Sequence, residues 1–389
     1  MSKKIQKIIK GIRLIFIEYP IYLFSFITPR NKKKWVFGSY GLFNDNPRYL
    51  FEYCIKNHSH NCTFIWLAKN KDEFFLVKSK GYNVEYKNSI IGLYHQFTAK
   101  VFIFCSYVTE INFTTCGRAY LVNLWHGIPL KKIEFDITTE PLVKYFAHAG
   151  LITKFLYPKI HIRPSLLLCP TKFTYNYCFK SAFRVNNKNT VYSIYPRVQA
   201  LIELVNSVPK NKVFTFFYAP TWRDDNKDFI IDLIDTLKNI DNHCVSHSFN
   251  FNIKLHSNTN SSTLKKINFK NIKIFDNQVD TNILLATADC LITDYSSIYF
   301  DYLSLNRPII FFKFDQHSYI HSREFYESEK VNLEPGEIIT SKGKILETML
   351  DIKSGKDLYT QHRMEIKKLT LGDNNLDVVV NTINRNIGL

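Results

Sequence analysis

Residues 289–302 read Asp289-Cys290-Leu291-Ile292-Thr293-Asp294-Tyr295-Ser296-Ser297-Ile298-Tyr299-Phe300-Asp301-Tyr302. An apolar run of strand length stops at Thr293, and Asp294 to Ser297 carry the turn chemistry that opens a helix. A buried strand feeding a helix is the repeating unit of a parallel sheet covered on both faces. Free backbone N–H groups and two hydroxyls at such a helix start could hold a diphosphate. An Asp/Ser helix cap without a ligand explains the same letters equally well. Asp301 would lie about two helical turns beyond Asp294 and would meet a ligand hydroxyl only if the helix grazes the site.

The same pattern spreads in both directions. Upstream runs at Val213–Tyr218, Phe249–Leu255 and Ile272–Phe275, and a downstream run at Pro308–Lys313, predict further strands, separated by helices such as Phe229–Ile240 and Thr281–Ala288. An earlier series, Trp35–Phe37, Thr63–Leu67, Val101–Cys105 and Tyr120–Leu124, alternates with helices at Pro47–Lys56 and Lys71–Lys80. The chain therefore reads as two α/β halves meeting around Arg197–Asn211, with a final helical stretch near Leu358–Asn386 that could pack on either half. There is no P-loop and no G-x-G-x-x-G string.

Three more strings stand at predicted strand ends, where ligands bind in open α/β sheets. In Trp125-His126-Gly127-Ile128-Pro129-Leu130-Lys131-Lys132, the imidazole could accept a proton from an attacking hydroxyl. Gly127 permits close approach, and Lys131 and Lys132 offer charge for phosphate. A strand-end histidine that merely satisfies hydrogen bonds is the plainer alternative. In Tyr218-Ala219-Pro220-Thr221-Trp222-Arg223-Asp224-Asp225, Arg223 suits bidentate phosphate recognition, with Asp224 or Asp225 holding it, although a capped polar loop would look the same. Lys254-Leu255-His256-Ser257 ends another strand in a second histidine. If the halves share a cleft, His126 and His256 would approach the reacting centre from opposite sides.

Composition narrows the partners. The 389 residues are 46% hydrophobic and 22% charged, too apolar for a disordered chain, and 51 Lys plus Arg against 34 Asp plus Glu give a formal +17. Such a surplus favours anionic partners. No basic base-reading helix, zinc finger or RNA-stacking signature accompanies it, which argues against nucleic acid. Eight scattered cysteines without a C-x-x-C pair read as buried thiols rather than disulfides or a zinc site. Residues 1–34 bracket an apolar run, Leu14–Thr28, with basic clusters, and Glu18 and Pro20 interrupt it. A segment lying on a membrane surface fits better than a spanning helix, and an extra helix packed on the first half is the alternative.

Taken together with "WVFGSYGLFNDNPRYLFEY" at 35–53, the strings "LWHGIPLKK", "YAPTWRDD", "KLHS" and "LITDYSSIYFDYLSLNRPIIFF" resemble the CDP-glycerol glycerophosphotransferase family, builders of teichoic acids and related capsular polymers. Gly38, Asp45, Asn46 and Pro47 match its opening motif, and the resemblance covers residues 35–340. It implies a GT-B-like α/β fold with two Rossmann-like domains facing a cleft, an acceptor domain (35–200) and a CDP-polyol donor domain (201–389, with the C-terminal helix); the membrane-association segment (1–34), read from its own basic and apolar pattern, precedes them. By position, His126 resembles the base, and His256 the residue that steadies the donor phosphates or leaving group. Ser296 and Ser297 resemble pyrophosphate ligands, with Arg223, Asp294 and Asp301 in the donor site. Gly127, Lys131, Lys132 and Arg197 fall to the acceptor and its phosphates.

The implied reaction is attack of an acceptor hydroxyl on the β-phosphorus of CDP-glycerol, forming a phosphodiester and releasing CMP. The acceptor is a lipid-linked or polymeric polyol phosphate or saccharide at an anionic membrane, and the enzyme is peripheral on its cytoplasmic face. No cofactor is expected, although one Mg²⁺ is compatible. CDP-ribitol, or addition of a single priming unit, would use the same motifs. A non-catalytic scaffold is the alternative from another class. Two departures stand out: Ile194-Tyr195-Pro196-Arg197-Val198-Gln199 lacks the family's glycine and places Gln199 where an aspartate is usual, and Ser257 replaces a proline.

Overall fold

The computed structural model describes residues 3–209, 211–223, 228–256, 259, 264, 266–322, 324–327, 331–372 and 375–389. It divides into two compact units, one of residues 1–126, 132–197 and 373–389, the other of residues 127–131 and 198–372.

The first unit is built on seven strands: β1 (Asn31–Phe37), β2 (Thr63–Ala68), β3 (Val84–Tyr86), β4 (Ala99–Phe104), β5 (Tyr120–Asn123), β6 (Leu166–Cys169) and β7 (Thr190–Tyr192). Their order is β3-β2-β1-β4-β5-β6-β7, and every pair is parallel. The order reverses between β1 and β4, where Phe37 lies beside Ile103. Crevices beyond the carboxyl ends at such a reversal are the usual ligand positions of this architecture. Val36, Ile65, Phe102 and Phe104 fill the core under these strands; burying such side chains contributes about 1.5–3 kcal/mol each.

The second unit repeats the plan with β8 (Phe214–Tyr218), β9 (Phe249–Lys254), β10 (Ile272–Phe275), β11 (Cys290–Thr293), β12 (Ile309–Phe312) and β13 (Glu337–Ile339), in the order β10-β9-β8-β11-β12-β13. Again all pairs are parallel. The predicted strands thus find their places, and the sheets add β3, β6, β7 and β13, which the apolar runs did not mark.

Two boundaries differ from expectation. The helix Asp377–Ile387, which the domain reading assigned after residue 201, groups with the first unit. There Val379, Val380 and Ile383 are buried, Asp377 meets His58 Nε2 at 3.0 Å, and Asn386 donates to Tyr120 Oη at 2.7 Å. Gly372, with φ +67°, separates this helix from Thr360–Thr370. At the other end β1 begins at Asn31, inside the segment expected to be membrane-associated. Before it come a helix Lys3–Arg13, a π-helical turn Leu14–Glu18 and a short helix Tyr19–Phe24.

This amino-terminal stretch docks on the first unit. Arg30 donates to the carbonyls of Gln96, Ala99, Thr115 and Gly117, Ser25 Oγ accepts from Gly117 N–H at 2.9 Å, and Tyr19 stacks on Phe155. Among the described residues no helix is long and apolar enough to cross a membrane. All eight cysteines are buried and free.

Candidate functional site

In the first unit the candidate residues gather where β1, β4 and β5 end. His126 follows β5 by three residues and is open to solvent on one side. Its Nδ1 lies 3.1 Å from the carbonyl of Cys105, just past β4. A carbonyl can only accept, so in the neutral ring Nδ1 carries the hydrogen and Nε2 keeps its lone pair. That is the tautomer a general base requires. Desolvation by the surrounding protein is the main influence lowering the imidazole pKa; Arg197 acts in the same sense, while Asp45 and the Cys105 carbonyl oppose it.

The backbone around His126 is held hard. Trp125 has φ +52° and Gly127 φ +129°, conformations that L side chains rarely adopt. Asn46 Nδ2 donates to the Trp125 carbonyl at 2.7 Å, and Asn123 Oδ1 accepts from Trp125 N–H at 2.8 Å. Arg197 Nη1 donates to the His126 carbonyl at 2.9 Å and to Asp45 Oδ1 at 3.0 Å, while Arg197 N–H donates to Asn46 Oδ1. Arg197, expected as a phosphate ligand, is engaged here as a clamp on the histidine's own backbone. Its partners Asp45 and Asn46 were visible as a motif but not as a mechanism. Lys132 belongs to this unit and is half-buried.

In the second unit the charged candidates turn inward. Arg223 is 5% exposed and Asp294 fully buried. Arg223 Nη2 meets Asp294 Oδ2 at 2.9 Å, its Nε meets Asp315 Oδ2 at 2.7 Å, and its Nη1 donates to the Thr221 carbonyl. Asp294 Oδ1 accepts from the N–H groups of Thr221 and Tyr295. Burial opposes the guanidinium's charge, but Asp294 and Asp315 outweigh it and raise its pKa. The guanidinium also lies over the rings of Tyr295 and Tyr319, which stack 3.9 Å apart.

Arg223 and Asp294 thus bolt the loop after β8 to the turn after β11, instead of offering free valences to a phosphate. The expected partners Asp224 and Asp225 lie outside the described residues; Asp315, just beyond β12, takes that part.

What this edge does present is less charged. Ser296 and Ser297 are half-buried in the turn, and Ile298 N–H lies 3.4 Å from Ser296 Oγ, a long contact. The helix they open, Ile298–Tyr302, has only five residues. Asp301 is therefore in its first turn, not two turns along, and at 5% exposure faces the interior. His256, two residues past β9, is exposed and lies parallel to Trp222 with ring centroids 6.1 Å apart. Desolvation lowers its pKa, and Lys131 adds to the effect. Lys131 belongs to this unit with Gly127, donates to Tyr319 Oη, and pairs as an isolated bridge with Phe325. Gln199 donates to Glu203 four residues on; Ser257 lies outside the described residues. Among the described residues no group of three or more His, Cys, Asp or Glu is placed to hold a metal.

Residues 21–372 match the sequence profile of the CDP-Glycerol:Poly(glycerophosphate) glycerophosphotransferase family. The chain belongs to this family. A teichoic acid poly(glycerol phosphate) polymerase of Bacillus spizizenii is 27% identical over 391 residues, covering 90% of this glycerophosphotransferase-family chain and 92% of its own. The polymerase of Staphylococcus epidermidis bearing the same name is 27% identical over 363 residues, covering 85% of this chain. The chain spans about half, 47%, of that relative's length. The solved structure of the wall teichoic acid polymerase TagF superposes with a TM-score of 0.74 at 22% identity, over 100% of this chain and 99% of that one. The two parallel sheets therefore share the fold of that polymerase structure, a GT-B-like α/β architecture.

Proposed function

We propose that the protein is a CDP-glycerol-dependent glycerophosphotransferase that adds glycerol phosphate to a teichoic-acid-like or capsular acceptor and releases CMP. The observation that carries this reading is the His126 ring: Nδ1 tied to the Cys105 carbonyl, Nε2 left as the proton acceptor, on a solvent-open edge. In the proposed step the acceptor hydroxyl loses its proton to Nε2 as its oxygen attacks the β-phosphorus, and the bond to CMP breaks. His256 and the Ser296–Ser297 turn would bind the diphosphate and offset charge on the departing CMP, with Lys131, Lys132 and Gly127 on the acceptor's path. Arg223 and Asp294 would act beneath that site as its scaffold. An incubation of the full chain with CDP-glycerol and a short primed acceptor tests the reading: acceptor-dependent CMP release that vanishes in His126→Ala supports it, and turnover that survives the substitution removes it. A parallel arm with CDP-ribitol decides the polyol, and product mass separates one added unit from many.

The amino terminus completes the proposal. Ile8, Ile12, Phe16, Leu23, Phe24 and Ile27 are all exposed on or beside the leading helices, and a basic, apolar surface of this kind binds anionic bilayers from one side. The enzyme would thus work peripherally, at the cytoplasmic face, on a lipid-linked chain. Sedimentation with phosphatidylglycerol vesicles should fall sharply in an Ile12→Glu, Phe16→Glu double variant; unchanged sedimentation would refute the docking role.

A further inference from the structure

The segment Cys105–Tyr107 supplies the carbonyl for His126 Nδ1, and its Tyr107 carbonyl accepts from Glu110 N–H at 2.9 Å. It is held from below by a carboxyl group. Glu110 is 6% exposed; its Oε2 accepts from Cys105 N–H at 2.8 Å and its Oε1 from Tyr107 N–H at 3.3 Å. Asn123 Nδ2 donates to the Ser106 carbonyl at 3.1 Å while its Oδ1 holds Trp125 N–H. Tyr107 Oη donates to Glu134, another buried carboxyl. Gly38 packs so closely here that a Cβ would sit 2.8 Å from the Glu110 carbonyl oxygen. The turn is thus fixed on every side, and two of its fixings converge on one carboxylate.

We propose that Glu110 is a positioning residue for the reaction: as a carboxylate it closes the Cys105–Tyr107 turn, aims the Cys105 carbonyl at His126 Nδ1, and so keeps Nε2 free to accept the proton. This rests on the base reading of His126. An ionised carboxylate is acceptor-only and suits two N–H donors, whereas a protonated one would turn an O–H against one of them. The groups facing Glu110 are Asp45, Cys105 and Tyr107, with Lys69 and Lys87 within electrostatic range and Glu73 acting on both lysines. Desolvation is the dominant influence and lifts Glu110 to about 7, against the pull of its N–H donors. The productive form is then present above about pH 7 and lost below it, while His126, with its lowered pKa, protonates only at more acid pH.

Glu110→Gln tests the assignment in the full chain, since it keeps the shape but replaces one acceptor with a donor. With circular dichroism and melting temperature as folding controls, CMP release should show kcat down by as much as about 100-fold with KM for CDP-glycerol within about twofold. The wild-type acid limb should begin near pH 7 and steepen towards two protons. In Glu110→Gln it should begin lower and involve one proton, and Glu110→Asp should recover part of kcat. Nitrogen-15 spectra of histidine-labelled protein, with His126 assigned by its loss in His126→Ala, should show distinct protonated Nδ1 and bare Nε2 signals that draw together in Glu110→Gln. A folded Glu110→Gln protein with wild-type kcat and an unmoved acid limb, or with reduced kcat and unaltered His126 signals, overturns the proposal while leaving the base reading intact. Turnover that persists in His126→Ala would remove both.

Discussion

At the carboxyl edge of the first sheet His126 reaches solvent and is held by its backbone and Nδ1, whereas at the same edge of the second sheet Arg223 and Asp294 are buried against each other. The strand orders match from β3-β2-β1-β4-β5-β6 to β10-β9-β8-β11-β12-β13, so the difference is not one of architecture. It lies in where charge is used. At this edge the first unit exposes a titratable ring above partly buried groups that aim it; the second buries the Arg223–Asp294 pair and presents two half-buried hydroxyls and an exposed imidazole. Formal charge in a motif is thus a poor guide to contact with a charged ligand, because a buried guanidinium flanked by two carboxylates has its hydrogen bonds already made.

The largest expected effect is at His126. Alanine there should lower CMP release by about 100- to 10,000-fold, the range for a general base, without altering CDP-glycerol binding measured by calorimetry. Loss of binding instead would blur the division of labour between the units. Next is the buried pair: Asp294→Asn or Arg223→Leu should destabilise the second unit by about 3–5 kcal/mol, because each leaves an uncompensated partner. Urea unfolding checks this, and an unchanged midpoint with lost binding would make these residues ligands after all. Smallest is the serine turn, where Ser296→Ala and Ser297→Ala should each weaken CDP-glycerol binding about tenfold, the worth of one hydrogen bond to a charged group.

Glu110 sharpens the comparison through pH. Its folded pKa, about 7, lies above the ordinary 4.5. Its contribution to stability is therefore present below about pH 4.5 and lost as pH rises through 7, by about 3 kcal/mol across that interval. Glu110→Gln should flatten the urea midpoint over that window relative to wild type. The carboxylate that serves the reaction is thus the form that folding disfavours.

Much of the architecture was legible in the letters. Long apolar runs such as Val213–Tyr218 and Pro308–Lys313 are strands because a sheet covered on both faces buries every position. Val84–Tyr86 and Glu337–Ile339 escaped notice because three-residue edge strands carry no period. Leu166–Cys169, wholly buried, could have been read from Leu-Leu-Leu-Cys alone. The last helix was found, but periodicity tells which face is apolar and not which sheet will cover it. Strand-end position was enough to place His126 and His256 just beyond β5 and β9. Asp45 pairs with Arg197, 152 positions away, and Asp315 with Arg223, 92 positions away, and no local pattern encodes such pairs; Glu110 reaches Cys105 only five residues back, but the letters do not show that this turn faces His126. For Asp45 the signal was the match to the opening motif, which marked the position without its purpose.

Asp45 at φ +58° and Trp125 at φ +52° flank the histidine's anchoring from two sides, and each left-handed side chain costs of order 1 kcal/mol. A population of variants selected only for heat resistance should therefore drift towards glycine or asparagine at 45, and gain robustness as the ring loses its aim. Durability and turnover would then pull this chain in opposite directions at a single residue far smaller than the substrate it helps to serve.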